Sequence, residues 1–114
     1  MPVRMTPPPL GAFLMVVIVY PVLEEFVFRE ALQGALLIRP PFAASLAGIS
    51  LASVVTSTLF ALAHLAQQPP VWAAMVFLPS LIFGWAKERH GTLASPIALH
   101  MVYNAGFIGL FQTL

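Results

Sequence analysis

The chain has 114 residues, of which 60% are hydrophobic and 8% charged, with a formal net charge of +1. Soluble domains carry about 25% charged residues, so this chain could not cover a soluble surface with charge, and its composition points to a membrane protein. The net charge says nothing about nucleic acid, no basic patch is present and no nucleic-acid partner is expected, and the absence of cysteine excludes disulfides and thiolate metal sites.

A tail over 1–9 closes on Pro7-Pro8-Pro9. The apolar run after it predicts a first helix over about 10–38. Arg4 precedes this run as it would in a secretory signal. No small-residue cleavage site follows, however, and Glu24–Glu25 interrupts its end, so it reads as a span. Pro21 lies inside it and predicts a kink there. Arg39-Pro40-Pro41 is the first turn. A second helix is predicted over 42–66, ended by Gln67-Gln68-Pro69-Pro70, and a third over 71–87, with Pro79 as a further kink. Lys87-Glu88-Arg89-His90-Gly91 is a polar loop in which His90 reads as a solvated bystander. A fourth helix is predicted over 95–113, with Pro96 suited to its first turn. Each run is near the roughly 20 residues needed to span a bilayer. The expectation is an all-α, multi-pass membrane bundle of four transmembrane helices in one domain, 1–114. Arg39, Lys87 and Arg89 lie opposite Arg4, which favours loops 1 and 3 in the cytoplasm.

Three polar groups interrupt the apolar spans. The first is Glu24-Glu25-Phe26-Val27-Phe28-Arg29. Each such charge costs about 2.5–3.5 kcal/mol at a membrane helix centre, so a chain that retains three of them in six residues uses them. Glu25 and Arg29 are four apart and can pair, whereas Glu24 points about 100° away. Burial and a nearby guanidinium act in opposite directions on a carboxylate, and one poised near neutrality serves as a general base. An ion-pair cluster that fixes helix packing is the alternative. The second group is His64, which shares a helix face with Ser50, Ser53, Ser57 and Phe60. The serines fit a close-packed seam or a hydrated path to His64. The third is His100 and Asn104, one turn apart on an otherwise apolar helix. Two side-chain donors on one wall suit an oxyanion hole, in which each is worth on the order of 2.7–4 kcal/mol. An interhelical hydrogen bond worth about 0.6 kcal/mol is the alternative. Convergent polar groups in a membrane core mark a functional site. Ideal helix counting sets His64 and His100 toward opposite membrane faces, so a bent or off-centre helix is expected to bring them together.

In this order the three motifs resemble the CPBP family, the CAAX proteases and bacteriocin-processing enzymes, which is marked by Glu-Glu-x-x-x-Arg, Phe-x-x-x-His and His-x-x-x-Asn. Here these are Glu24-Glu25…Arg29, Phe60…His64 and His100…Asn104, and the resemblance runs from about 22 to 104. It implies an intramembrane endopeptidase of the glutamate type, in the inner membrane of a prokaryotic cell. Glu24 and His64 would activate water, His100 and Asn104 would hold the oxyanion, and Glu25 and Arg29 would support the site. No cofactor is expected, although two histidines and a glutamate are plausible zinc ligands and a metal-dependent version of the same hydrolase is a further reading. The expected partners are the lipid bilayer and a peptide or protein substrate, including a membrane-anchored one. Larger members carry extra helices, so an oligomer or partner subunit is expected as well. A reading from another class is a non-catalytic membrane interaction or bacteriocin-immunity subunit.

Overall fold

The computed structural model describes residues 9–111. The tail with Arg4 and the end of the fourth predicted helix at 112–113 lie outside the described residues. Helix α1 is one long run, Leu10–Leu37. Its winding changes along the way: π turns over Met15–Val19, α over Tyr20–Glu25, π again over Phe26–Gln33 and α over Gly34–Leu37. Proline has no N–H and its ring crowds the carbonyl of the preceding turn. The irregularity foreseen at Pro21 thus takes the form of a π stretch that ends just before it. Such stretches concentrate at functional sites.

The second predicted helix is not continuous. Its first two residues join Pro40 and Pro41 of the predicted turn in a short helix α2 (Pro40–Ala43), and a hairpin of β1 (Ser45–Leu46) and β2 (Ile49–Ser50) follows, paired Ser45 with Ser50 and Leu46 with Ile49. Ala47 (φ 55°) and Gly48 (φ 81°) both adopt left-handed conformations, the geometry that closes a two-residue hairpin. The fold is therefore mostly helical rather than all-α. Helix α3 (Leu51–His64) starts where the hydroxyl of Ser50 accepts the Ser53 N–H at 3.0 Å, an N-cap that ends the extended segment. Its 14 residues rise about 21 Å. Helix α4 (Pro70–Met75) and helix α5 (Phe77–His90) follow, separated by a turn at Val76. Pro79 cannot donate to the Met75 carbonyl four residues back, which accounts for the break. Helix α6 (Ala94–Phe111) carries Pro96 in its first turn. By length and apolar character, α1 and the α4–α5 run Pro70–His90 could each cross a membrane.

Burial is inverted relative to a soluble domain. Glu25, Arg29, Gln33, Ser53 and Ser80 are 0% exposed, whereas Leu23, Phe26 and Val102 stand 58%, 59% and 71% exposed on the outer faces. Small polar residues between helices and large apolar ones outside are what a lipid solvent selects. The seam where α1, α3 and α5 meet is tightest at Gly84. A Cβ there would collide with the Ser53 hydroxyl and lie 2.8 Å from Gln33 Oε1 and 3.2 Å from Ser53 Cβ. Gly84→Ala is expected to destabilise the fold by about 1–3 kcal/mol, measured as a lowered thermal midpoint in detergent. Adding Ser53→Gly should recover part of the loss; no recovery would place the strain elsewhere.

Candidate active site

Helix α1 presents Glu25, Arg29 and Gln33 at four-residue spacing, all fully buried, as one polar stripe facing α3 and α5. Glu24 is turned away from that stripe and its side chain keeps 33% of its exposure. The two carboxylates thus have different surroundings although they are adjacent in the chain.

Both histidines come to this pair. His100 Nδ1 lies 2.8 Å from Glu25 Oε2, and its Nε2 lies 3.6 Å from Glu24 Oε1. His64 Nδ1 lies 2.7 Å from the Phe60 carbonyl, and its Nε2 lies 4.0 Å from Glu24 Oε2. A carbonyl only accepts, so His64 carries its proton on Nδ1 and turns Nε2 toward Glu24. Separations of 3.6 and 4.0 Å are longer than direct hydrogen bonds. Asn104, one turn beyond His100, donates from Nδ2 to the Val16 carbonyl of α1 at 2.8 Å. Glu24, His64, His100 and Asn104 all line one cavity of about 160 Å³, whose other walls include Tyr20, Gln67, Gln68, Trp72, Tyr103 and Phe107. The conflict from helix counting is relieved by element boundaries: α3 begins only at Leu51, rather than near 42, and ends on His64 itself.

Arg29 has more partners than its spacing from Glu25 suggests. Nε lies 3.3 Å from Glu25 Oε1, while Nη2 donates to the Ser80 carbonyl at 2.7 Å and to Ser80 Oγ at 2.6 Å. The guanidinium carbon sits 5.1 and 5.7 Å from the ring centres of Phe60 and Phe83, within cation–π range. Phe83 also stacks on His100, with centroids 4.8 Å apart and planes at 19°. Sequence reading did not single out Ser80, Phe83 or Gln33. Gln33 was signalled by continuing the Glu25–Arg29 spacing, whereas Phe83 is one aromatic among many. Gln33 Nε2 donates to the Gly84 carbonyl at 3.2 Å and to Glu88 Oε2 at 2.6 Å, and the Ser50 hydroxyl donates to the same Glu88 oxygen. Ser53 and Ser57 are buried between helices and do not line the cavity, which favours the packing seam over a hydrated path. His90 is exposed but not idle: its Nδ1 lies 2.8 Å from Ser95 Oγ.

Residues 6–106 match the family described as type II CAAX prenyl endopeptidase Rce1-like. The chain belongs to this Rce1-like family. It is also 40% identical over 98 residues to the membrane-embedded CAAX protease MroQ of Staphylococcus aureus (strain USA300), an alignment that covers 85% of this chain and 37% of that protein. The chain thus spans less than two-fifths of the length of that curated relative. No solved structure matches. Membership of the Rce1-like family, together with two helices apolar and long enough to cross a bilayer, makes this a membrane protein. Among the described residues of this Rce1-like chain, no group of three His, Asp or Glu side chains is placed to hold a metal ion. Glu25 is engaged with Arg29 and with His100 Nδ1, and His64 Nδ1 is engaged with the Phe60 carbonyl.

Proposed function

We propose that this chain forms the catalytic core of a multi-pass intramembrane endopeptidase, in the inner membrane of a prokaryotic cell, that cuts a peptide bond with water activated by Glu24. The observation that carries the reading is the position of Glu24, between the Nε2 atoms of His64 and His100 at the wall of the cavity. A water held between Glu24 and His64 gives a proton to the Glu24 carboxylate, and its oxygen attacks the peptide carbonyl carbon. The oxygen of that carbonyl becomes an oxyanion facing His100 and Asn104. His100 donates from Nδ1 to Glu25, so donating from Nε2 as well requires both ring protons, with Glu25 as counter-ion to the imidazolium. When the intermediate collapses the C–N bond breaks, and the proton held on Glu24 passes to the leaving amine. Preorganised donors of this kind act where water is excluded. Arg29, held by Ser80, keeps Glu25 in place and so orients His100.

Four crossings follow in this reading, with α3 and α6 completing the bundle around α1 and the α4–α5 run. The aromatic walls suit a peptide with an apolar or lipidated tail, and family membership directs attention to a prenylated C-terminal CAAX sequence. The test is cleavage by the purified chain in lipid bilayers. It would be offered a farnesylated CAAX peptide and the same peptide unmodified, with Glu24→Gln as the control. Cutting of neither peptide, with partner binding altered by the same substitutions, would favour a non-catalytic interaction or immunity subunit instead. Asn104→Ala is expected to lower kcat by about 10²–10³-fold with little change in KM. An equal rise in KM with kcat intact would assign Asn104 to ground-state binding.

A further inference from the structure

Asn104 donates to a carbonyl that the backbone of α1 leaves open. Val16 lies in the π stretch Met15–Val19, in which Tyr20 N–H donates to the Met15 carbonyl rather than to Val16, four residues before it. In π winding the next donor, for Val16, is the N–H five residues on. That residue is Pro21, which has none. The open carbonyl accepts from Asn104 Nδ2 at 2.8 Å. A side-chain amide has two N–H groups on one planar nitrogen. With one committed to Val16, the other is held at a set angle on a side chain that lines the cavity.

We propose that Pro21 is a positioning residue for Asn104: its missing N–H frees the Val16 carbonyl, which anchors one N–H of the Asn104 amide and aims the other at the reacting oxygen. The inference rests on the oxyanion role of Asn104 in the reading above. In a membrane core a freed helix carbonyl needs a partner, and here that requirement and the orientation of a donor are met by one bond. Restoring an N–H at position 21 gives the Val16 carbonyl a backbone donor in the π turn, which competes with the Asn104 amide for that oxygen and loosens its anchor.

Asn104 is the sole asparagine of the chain, so labelling with ¹⁵N-asparagine yields a single side-chain amide signal pair. In the full chain in bilayer mimetics, one of its two protons should be shifted downfield and protected from exchange. In Pro21→Ala both features should disappear. An unchanged pair would overturn the proposal. In the cleavage assay Pro21→Ala should lower kcat about 10–100-fold, the scale of a misplaced catalytic group, with KM within about twofold. In an Asn104→Ala background the same substitution should change kcat by less than about twofold, because the two act through one bond. Equal losses in both backgrounds would overturn it. Replacing Pro21 by lactic acid, which leaves a backbone ester without N–H, should keep the wild-type spectrum and rate. If this variant loses either, or fails to fold, the proline ring rather than the missing donor is what matters and the proposal fails. Should the wild-type chain cut neither peptide, the endopeptidase reading falls, while the amide spectrum still decides the anchor.

Discussion

Glu24→Gln is expected to abolish peptide cleavage, by about 10³-fold or more, while leaving insertion and folding intact. The substitution keeps the size and planarity of the side chain and removes its capacity to take a proton. General-base groups contribute about 10²–10⁴-fold, and here the same carboxylate also returns the proton to the leaving amine, so the upper part of that range is expected. The fold should tolerate the change because Glu24 is one-third exposed and makes no bond shorter than 3.6 Å to either histidine. Glu30→Gln is the matched control: that carboxylate is half exposed, paired only with Lys87 at 3.7 Å among the described salt bridges, and outside the cavity. Rates for both variants, alongside thermal midpoints, decide the matter. Undiminished cleavage by Glu24→Gln would remove it as the base, and activity that survives thorough chelation would argue against the metal-dependent version.

Arg29→Met should cost about 3–5 kcal/mol of stability, the scale seen when one partner of a buried ion pair is removed. Two sets of groups are left behind. Glu25 keeps His100 but loses the guanidinium, and the Ser80 carbonyl and hydroxyl lose their shared donor. Methionine fills the space between Phe60 and Phe83, so the loss measures charge and hydrogen bonding rather than a cavity. Arg29→Lys should restore only part of it, because a single ammonium lacks the planar fork that reaches Glu25 and Ser80 together. Combining Arg29→Met with Glu25→Gln should cost less than the sum of the two. A loss below about 1 kcal/mol for Arg29→Met would mean that Glu25 is adequately held by His100 alone.

The Glu25–Arg29 pair was readable because four-residue spacing places two side chains on one helix face, and the difference between Glu24 and Glu25 follows from the same rotation. Spacing within a helix carries no information about what stands opposite it. Ser80 as the acceptor for Arg29, Phe83 as the plate under His100 and Val16 as the anchor of Asn104 are all contacts between elements far apart in sequence. The hairpin at Ser45–Ser50 went unseen because Ala47 is not a residue that favours positive φ, and its left-handed conformation (φ 55°) has no marker in residue type.

The sequence by itself determined which ionisable and amide groups of the three motifs stand out within its apolar spans. Charge and amide groups in lipid are so costly that few are retained without use, which left Glu24, Glu25, Arg29, His64, His100 and Asn104 standing out. Only the tertiary structure decided what those groups face across the bundle. Glu25 met His100 because α1 turns that face to α6, Arg29 met Ser80 because the same stripe continues against α5, and Glu24 reached the cavity because it lies about 100° round the same turn. The physical reason is that the 3.6-residue period sets the angles within one helix, whereas the angles between helices come from small-residue packing such as Gly84 against Ser53.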